Sequence, residues 1–298
     1  MLSVSAPAKL NLTLEVLGKR PDGYHEIRSV IQTVNLCDTI LFCVSPDIEF
    51  HSSTPDWRAE LSLVSRAVKL VKETTGCARG AAIGVIKNIP LMAGLGGDSS
   101  DAASVLAGLN EFWNLGLSPP AFLDMAAELG SDVPFFLYGG TSLSAGRGEV
   151  VTPLPSFPQL WAVILVPPVP RETGKTGQLY AALSPASYTG GEMTDALVGV
   201  ITHEEEAELN LNEWGIGQER YTNYLFNVFE SIAYDKFPGL AGYRDEFLEA
   251  GAPAVHLAGS GPALFALFFS QEEAGGVYLR LKEKGLECFL TSTRDSNK

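Results

Sequence analysis

The sequence has little that would hold a metal ion or a covalent cross-link. Its four cysteines are scattered without a Cys-x-x-Cys pair and without a histidine at ligand spacing: Cys37, Cys43, Cys77 and Cys288. Such cysteines are typical of reduced thiols in a core or at a surface. The sequence also lacks a run of about eighteen apolar residues and a charged N-terminal segment followed by an apolar one. It therefore predicts neither a membrane span nor a signal peptide, and we expect a cytoplasmic protein.

Positive charge is also scarce. The chain has 21 Lys and Arg against 35 Asp and Glu, a formal net charge of -14. Nucleic acid is bound by basic surfaces, so it is not expected as a partner. With 298 residues, of which 46% are hydrophobic, the chain can bury a large core and form two domains. An acidic protein that held a triphosphate would need locally fixed positive groups and a divalent cation.

Two familiar nucleotide motifs are missing. A Walker loop needs a glycine five residues before Gly174 of the string Gly174-Lys175-Thr176, but Val169 stands there. A dinucleotide fingerprint needs a small residue three positions after Gly96 or Gly261, where Ser99 and Leu264 stand. The sequence supports neither a P-loop NTPase nor a Rossmann cofactor site.

The most informative segment is residues 90–103, in which glycines and serines lead into a helical pattern. Glycines let the backbone approach an anion, and successive N–H groups of a tight loop form a nest of donors. The spacing of the apolar residues predicts a helix with its N-cap at Ser99 or Ser100. Those apolar residues are Ala102, Leu106, Leu109 and Trp113. A structural glycine turn is the plainer alternative, but a helix N-terminus after such a loop favours phosphate binding.

The N-terminal segment has the alternation of a β-strand. Apolar side chains at even positions from Ala8 to Val16 alternate with polar ones at odd positions, which predicts one buried face. Lys9 and Asn11 then project on the same side. A lysine on an edge strand can serve only for solubility, and the pattern alone leaves that alternative as open as a functional role.

A predicted turn at residues 18–23 is followed by Tyr24 and His25. A tyrosine in a turn is often only amphipathic cover, but beside a histidine it offers a stacking face and hydrogen bonds for a pyrimidine.

Further on, a helix is predicted over Pro120 to Leu129, ending at Gly130. Asp132 follows it, either as the cap of the next turn or as a carboxylate shielded by the apolar run 133–138. Val133 precedes a proline and is predicted to be extended.

The second half of the chain contains a glycine turn at Leu257 to Ala263 between two apolar runs. Two buried strands would explain those glycines without a ligand.

Prolines cluster near residue 155, after which Leu160 to Val166 is predicted to be a strand. The polar stretch from Thr189 to Glu219 is predicted to be an exposed helical insert.

Three segments resemble the motifs of the GHMP kinases in order and spacing. Residues 90–103 resemble the ATP loop, residues 6–12 (Ala-Pro-Ala-Lys-Leu-Asn-Leu) the first motif, and residues 257–263 the third. The string Arg20 to Ile27 and residues 130–136 are similar to the branch of the family that phosphorylates a cytidine-diphosphate-linked methylerythritol. The resemblance implies a two-domain α+β fold: residues 1–155, an ATP-binding domain with a left-handed βαβ unit, and residues 156–298, a ferredoxin-like domain. The general rule for βαβ units would predict the opposite hand.

The resemblance also implies the roles of individual residues. Asp132 would accept the proton of the substrate hydroxyl, and Lys9 would orient Asp132 and neutralise charge. ATP and Mg²⁺ would be the cofactors, with Ser100 as a metal ligand. The ATP-binding residues would be Pro90, Leu91, Met92, Ala93, Gly94, Leu95, Gly96, Gly97, Asp98, Ser99 and Ser100. The residues for the small-molecule substrate would be Tyr24 and Tyr180 around cytosine, His25 at its edge, and Asn11 and Thr176 at the methylerythritol end.

Two residues depart from the family pattern, and several alternatives stay open. Position 98 is usually glycine, so Asp98 must turn away from the triphosphate, bind Mg²⁺ or weaken ATP binding. Ser62 stands where an asparagine near the adenine is common. The alternative functions for this chain are those of a GHMP kinase for homoserine or mevalonate and of a metabolite sensor of the same fold without catalytic activity. The protein could be a monomer or a homodimer.

Overall fold

The computed structural model describes residues 1–170, 174–202 and 221–296. Strands and helices are mixed along these residues, which confirms the α+β class. Contacts group the chain into two compact units that are interleaved in sequence. Unit 1 comprises Met1–Ala8, Leu36–Leu91 and Gly96–Gly139, and unit 2 comprises Lys9–Asn35, Met92–Leu95 and Gly140–Lys298. The division into residues 1–155 and 156–298 stays a prediction.

Unit 1 packs helices against strands. Strand β1 (Leu2–Asn11) and the long strand β3 (His25–Cys43) pass through both units, and β1 pairs with β3. In unit 1, β5 (Ala81–Ile86) pairs antiparallel with β3 and parallel with β4 (Ile48–Ser52). The helices are α1 (Leu63–Thr75), α2 (Gly97–Trp113), α3 (Pro119–Leu129) and α4 (Val133–Tyr138).

Helix α2 lies in the core of unit 1, and its predicted apolar face is buried. The four side chains from which the helix was predicted are at most 2% exposed. A Cβ at Gly108 would lie 2.3 Å from the Phe42 ring, so glycine there allows the helix to pack closely on strand β3. The predicted end of α3 at Gly130 is also confirmed.

The first group of strands in unit 2 surrounds the first part of β3. The hairpin of β2 (Thr13–Lys19) and β3 is closed by the predicted turn, in which Gly23 has φ +89°. Strand β6 (Thr141–Gly146) pairs with β3 and with β7 (Val150–Pro153). Strand β9 (Phe226–Asn227) runs parallel to β2.

The second sheet of unit 2 is antiparallel and has the order β10-β11-β8-β12. Its strands are β8 (Trp161–Leu165), β10 (His256–Leu257), β11 (Leu264–Phe268) and β12 (Cys288–Ser292). Counted along the chain within this sheet, the order is second, third, first, fourth, which is that of the ferredoxin-like fold. The helices of unit 2 are α5 (Lys175–Ala182), α6 (Glu192–Thr202), α7 (Glu230–Lys236), α8 (Leu240–Glu249) and α9 (Gln271–Glu283).

The predicted helical insert from Thr189 to Glu219 is only partly described. Helix α6 forms within it, but Thr194, Leu197 and Ile201 are buried, so this part is amphipathic rather than exposed. Residues 203–219 of the predicted insert lie outside the described residues.

Within the part of the chain that the structure describes, no helix is long and apolar enough to cross a membrane. The same residues contain no group of three or more His, Cys, Asp or Glu side chains placed to hold a metal ion. All four cysteines are free thiols, as their scattered positions predicted.

Candidate active site

The glycine-rich loop before α2 has an unusual backbone. Met92, Gly94 and Gly96 have φ angles of +54°, +91° and +72°, in the left-handed region. Glycine takes this conformation without a steric penalty, whereas methionine rarely does. Such strain in a non-glycine residue is characteristic of functional loops held by their surroundings.

Helix α2 begins at Gly97, with Gly96 as its N-cap. The predicted N-cap at Ser99 or Ser100 is therefore wrong, because both serines lie in the first helical turn. A left-handed glycine turns the chain into the helix three or four residues earlier than a serine cap would. No side chain caps this terminus, so its first N–H groups are left for another acceptor.

The carbonyl groups of the loop in unit 2 point into the protein. The carbonyl oxygens of Met92, Ala93 and Leu95 each accept a hydrogen bond from unit 2. The donors are, in the same order, Lys175 Nζ at 3.1 Å, the Ala263 N–H at 3.1 Å and the Lys9 N–H at 3.0 Å. In a trans peptide the N–H points opposite to the C=O of the same unit. In each of these three peptides the N–H group therefore points away from the donor that binds the carbonyl oxygen.

Those N–H groups belong to Ala93, Gly94 and Gly96. None of the three donates a hydrogen bond to another described residue. Backbone donors left open beside a helix N-terminus are the groups that bind phosphate in proteins. The glycine loop thus leaves backbone donors open beside a helix N-terminus, and its role as a phosphate site stays a prediction.

The third motif is the hairpin turn between β10 and β11, as its two apolar runs predicted. The strands pair with Leu257 opposite Leu264. A Cβ on Gly94 would lie 2.1 Å from the Ala258 carbonyl oxygen, so residues 92–95, called the ATP-loop segment below, and this turn meet backbone to backbone. Thr176 Oγ1 lies 2.8 Å from Ser260 Oγ, which places Thr176 beside the same turn.

Asn227 on β9 holds the third motif and was not identified from the sequence. Its Nδ2 donates to the carbonyl oxygens of Leu257 at 2.9 Å and of Gly259 at 2.7 Å. Its Oδ1 accepts the N–H of Phe229 at 3.0 Å. The side chain is buried, so water competes little for these hydrogen bonds. A single asparagine between two apolar runs carried no sequence signal for this role.

Lys9 and Asn11 are buried at 5% and 4% exposure. The prediction of one buried face is therefore wrong, and so is the alternative of a solubilising surface lysine. Lys9 Nζ donates to Asn11 Oδ1 at 2.5 Å, and Asn11 Nδ2 donates to Ser29 Oγ at 2.8 Å. Alternation identifies the apolar side of a strand but does not tell whether the protein covers the polar side. Here helix α6 contributes to that cover, since the N–H of Thr194 donates to Glu15 at 2.8 Å.

All three residues predicted for a pyrimidine belong to unit 2, and two of them, His25 and Tyr180, are in ring contact. His25 stacks on Tyr180 with ring centroids 4.9 Å apart. Tyr188 contacts His25 edge-on at 6.1 Å. Tyr24 is 53% exposed and carries the guanidinium of Arg147 at 4.8 Å from its ring centroid. Burial and the nearby charge of Lys19 lower the pKa of His25, which keeps its ring neutral at pH 7.

Asp132 in unit 1 precedes α4 and occupies its N-cap position without a capping hydrogen bond from its side chain. Its carboxylate is therefore not used as a helix cap, the plainer of its two predicted roles. Val133 is the first residue of α4, so the prediction that it is extended is wrong. Proline is tolerated in the first helical turn, and Pro134 there outweighs the usual restriction on the preceding residue.

A buried charge cluster in unit 1 fixes both ends of the loop and was not predicted. Lys87, Asp38 and Asp101 are at most 4% exposed, and Lys87 Nζ donates to Asp38 and, at 2.7 Å, to Asp101. Asp38 also accepts the N–H groups of Asn88 at 2.5 Å and Ile89 at 2.8 Å. Burial raises the pKa of Asp101 to about 8 despite the opposing charge of Lys87. The cluster ties the chain just before Pro90 to the first turns of α2.

Asp98 does turn away from the loop, one of its three predicted alternatives. Its Oδ1 accepts the hydroxyl of Ser62, and its Oδ2 accepts the N–H of Leu63 at 3.0 Å. Ser62 Oγ in turn accepts the N–H of Val64 at 3.1 Å. The two residues that depart from the family pattern are thus partners, and together they cap α1. A carboxylate at a helix N-terminus is stabilising.

We expect the substitution Asp98→Gly to lower stability without changing the metal requirement. Loss of the cap on α1 should reduce the free energy of unfolding by about 0.5–2 kcal/mol. The Mg²⁺ concentration for half-maximal activity should be unchanged, since the carboxylate is engaged by Ser62 and Leu63. Denaturant unfolding and a Mg²⁺ titration measure the two quantities. In a double variant, the losses of unfolding free energy caused by Asp98→Gly and by the matched change Ser62→Ala should not add, because the two side chains form one cap. A raised Mg²⁺ requirement would instead assign Asp98 to the metal.

Known proteins resemble this chain over nearly its whole length. Two family models match, GHMP kinases N terminal domain at residues 62–140 and GHMP kinases C terminal at residues 201–286. A protein of Dehalococcoides mccartyi named 4-diphosphocytidyl-2-C-methyl-D-erythritol kinase is 48% identical, with 98% of each chain covered. A protein of the same name from Geobacillus thermodenitrificans is 38% identical, with 94% of this chain and 93% of the relative covered.

Solved structures agree with these relatives. A crystal structure of 4-(cytidine 5'-diphospho)-2C-methyl-D-erythritol kinase superposes with a TM-score of 0.79 at 29% identity, covering 98% of this chain and 99% of the other. Homoserine kinase from Cytophaga hutchinsonii has a TM-score of 0.70 at 21% identity, with 98% and 95% covered, and shows the shared fold alone. The chain belongs to the GHMP kinase family and, within it, to the 4-diphosphocytidyl-2-C-methyl-D-erythritol kinases.

Proposed function

We propose that this protein transfers the γ-phosphoryl group of ATP to the 2-hydroxyl of 4-diphosphocytidyl-2-C-methyl-D-erythritol, in the non-mevalonate route to isoprenoids. The observation that carries the proposal is the glycine loop. Its carbonyl oxygens at Met92, Ala93 and Leu95 are occupied by the protein, while the N–H groups that follow them are open. The relatives that bear this kinase name over 98% of the chain supply the acceptor substrate.

In the proposed reaction, the 2-hydroxyl oxygen forms a bond to the γ-phosphorus and the bond to the ADP oxygen breaks. Asp132 accepts the hydroxyl proton, a role for which its carboxylate is not withdrawn into a helix cap. Lys9 supplies positive charge to the transferring phosphoryl group, and Asn11 fixes the ammonium through the bond at 2.5 Å. Because phosphoryl transfer needs little covalent assistance, positioning and electrostatics supply most of the rate.

The residues present fit a magnesium ion held mainly by the nucleotide. Ser100 Oγ is fully buried and has no hydrogen-bond partner among the described residues. Mg²⁺ commonly takes one or two protein oxygens together with water and phosphate oxygens. Ser100 would therefore be the ligand from the protein, and the ion would neutralise charge on the phosphates.

The cytidine end of the acceptor is assigned to the aromatic residues Tyr24, His25 and Tyr180 of unit 2. Tyr24 and Tyr180 are proposed to flank cytosine, with His25 bonding its edge. The stack of His25 on Tyr180 holds the imidazole in place, and its neutral ring has one N–H donor and one acceptor nitrogen. Asn11 and Thr176 are proposed for the methylerythritol end. Asn11 is the last residue of strand β1, and Thr176 lies beside the third motif.

Replacing Tyr24 with alanine should weaken binding of the cytidine substrate by about 1–3 kcal/mol, the scale of base stacking on an aromatic ring. The KM for ATP should change less than about twofold, because the ring contacts the acceptor only. Steady-state kinetics with each substrate varied in turn measure both effects. Tyr138→Ala removes another exposed tyrosine, in unit 1, and serves as the matched control. An equal loss for both substrates would make Tyr24 a structural residue.

The proposed function is tested by ATP consumption across a panel of acceptors. The panel contains the cytidine substrate, its uridine analogue, homoserine and mevalonate. We expect turnover with the cytidine compound and at least about 100-fold lower kcat/KM with the two simple alcohols, which have no base to contact Tyr24, His25 and Tyr180. Turnover of homoserine or mevalonate would favour the corresponding kinase. Binding of the panel without ATP consumption would favour a sensor.

A further inference from the structure

The string Gly174-Lys175-Thr176 is not a Walker motif, yet its lysine occupies a central place in unit 2. Lys175 is the first residue of α5 and is only 7% exposed. Its Nζ donates to the carbonyl oxygen of Met92 at 3.1 Å and to that of Gly261. The next residue, Thr176, lies 2.8 Å from Ser260. The start of α5 therefore contacts both the ATP-loop segment and the third motif.

The two carbonyl groups that Lys175 binds belong to residues with a left-handed backbone. Met92 has φ +54° and Gly261 has φ +65°. A methionine in this conformation is disfavoured and needs compensation from its surroundings. A charge-assisted hydrogen bond from a buried ammonium is stronger than one between neutral groups, and it can supply that compensation. Burying the charge is itself costly, which argues for a specific role rather than chance.

Holding the Met92 carbonyl also fixes the direction of the next N–H group. The C=O of Met92 and the N–H of Ala93 belong to one trans peptide and point in opposite directions. With its carbonyl bound by Lys175, the peptide presents its N–H on the other side. The bonds to Ala93 O and Leu95 O act in the same way on the peptides that follow. Lys175 is the one side-chain group among these three donors.

We propose that Lys175 is a positioning residue for ATP binding. Its ammonium holds the ATP-loop segment against the third motif and so aims the loop N–H groups at the triphosphate, without touching the phosphates itself. This inference rests on the proposed function, since it treats residues 92–95 as part of the ATP site. A lysine of a Walker loop contacts the phosphates directly, so the two arrangements predict different behaviour of the nucleotide-free protein.

The test compares Lys175→Met with Lys236→Met in the full chain. Lys236 is the matched control, because its Nζ also donates to a backbone carbonyl, that of Gln178 at 3.1 Å, but at an exposed position away from the loop. Binding of a non-hydrolysable ATP analogue is measured by calorimetry. Backbone hydrogen exchange is measured for peptides covering residues 90–97 and 257–263, without and with the analogue.

In Lys175→Met we expect about 10- to 100-fold weaker binding of the analogue, the size of one hydrogen bond to a charged group. Exchange in both peptides should be faster already in the nucleotide-free protein. Lys236→Met should match the wild type in both measurements. If Lys175→Met does not fold, Lys175→Gln, which keeps an N–H donor without the charge, should bind the analogue with intermediate affinity.

Two results would overturn the proposal. One is an analogue affinity within about twofold of the wild type in a folded variant. The other is weaker binding with unchanged exchange of the nucleotide-free protein, which would indicate direct contact with phosphate. Neither measurement uses the acceptor substrate. A wild-type protein that fails to phosphorylate the cytidine compound would therefore contradict the proposed function. The comparison of Lys175→Met with Lys236→Met would still test the role of Lys175 in ATP binding.

Discussion

The variant Asp132→Asn is expected to have a kcat about 10²- to 10⁴-fold below that of the wild type, the contribution of a general base. The amide keeps the shape of the carboxylate but cannot take up the proton of the 2-hydroxyl. KM for ATP and for the cytidine substrate should stay within about threefold, because the loss is confined to the transition state. Steady-state kinetics and binding of a non-hydrolysable ATP analogue separate these effects.

Asp124→Asn is the matched control for this variant. Asp124 lies on α3 of the same unit, is exposed, and loses the same charge on substitution. Its kinetics should equal those of the wild type. A kcat of Asp132→Asn within tenfold of the wild type would show that another group or water accepts the proton.

The second large effect is expected for Gly94→Ala. The added Cβ would lie 2.1 Å from the Ala258 carbonyl oxygen and 2.9 Å from the Gly261 nitrogen, which are backbone atoms that cannot move alone. The ATP-loop segment must then separate from the third motif, and the open N–H groups lose their common direction. We expect ATP affinity to fall by at least about 100-fold, the effect of losing two or more hydrogen bonds to a charged ligand. Calorimetry with the ATP analogue measures it.

Gly285→Ala controls for the backbone strain alone. Gly285 has φ +76°, similar to the +91° of Gly94, but a Cβ there would meet nothing within 4 Å. In both variants the left-handed conformation of the alanine costs about 1–2 kcal/mol. Only Gly94→Ala adds the clash with backbone atoms. If the two variants bound the analogue equally well, the close approach of the two loops would not matter for ATP.

The sequence was sufficient for the local parts of the fold and the site. The glycine loop, the buried face of α2, the hairpin around Gly23 and the turn of the third motif all follow from spacing within about fifteen residues. Such patterns are dictated by backbone conformation and by which face of an element is apolar. The two helix starts were less predictable, because Gly96 and Pro134 allow a helix to begin earlier than the usual cap and proline rules indicate.

The parts that could not be predicted are contacts between distant positions. Lys87 meets Asp38 and Asp101 across 49 and 14 residues. Lys175 reaches Met92 across 83 residues, and no local pattern distinguishes it from a surface lysine. Asp98 was recognised as a departure from the family, but its partner Ser62, 36 residues away, could be found only in three dimensions. A buried charge is identified by its partner, and one sequence does not pair residues.

The pairing of β2 with β9 has a consequence for the order of folding. Thr13 and Leu14 pair with Phe226 and Asn227, so strand β2 waits for a strand that is made some two hundred residues later. At about 5–20 residues per second, this delay on the ribosome is roughly 10–40 seconds. Apart from residues 92–95, the chain from Leu36 to Gly139 belongs to unit 1, and its helices need no such late partner. Strand β2 is thus synthesised well before the strand that completes its pairing.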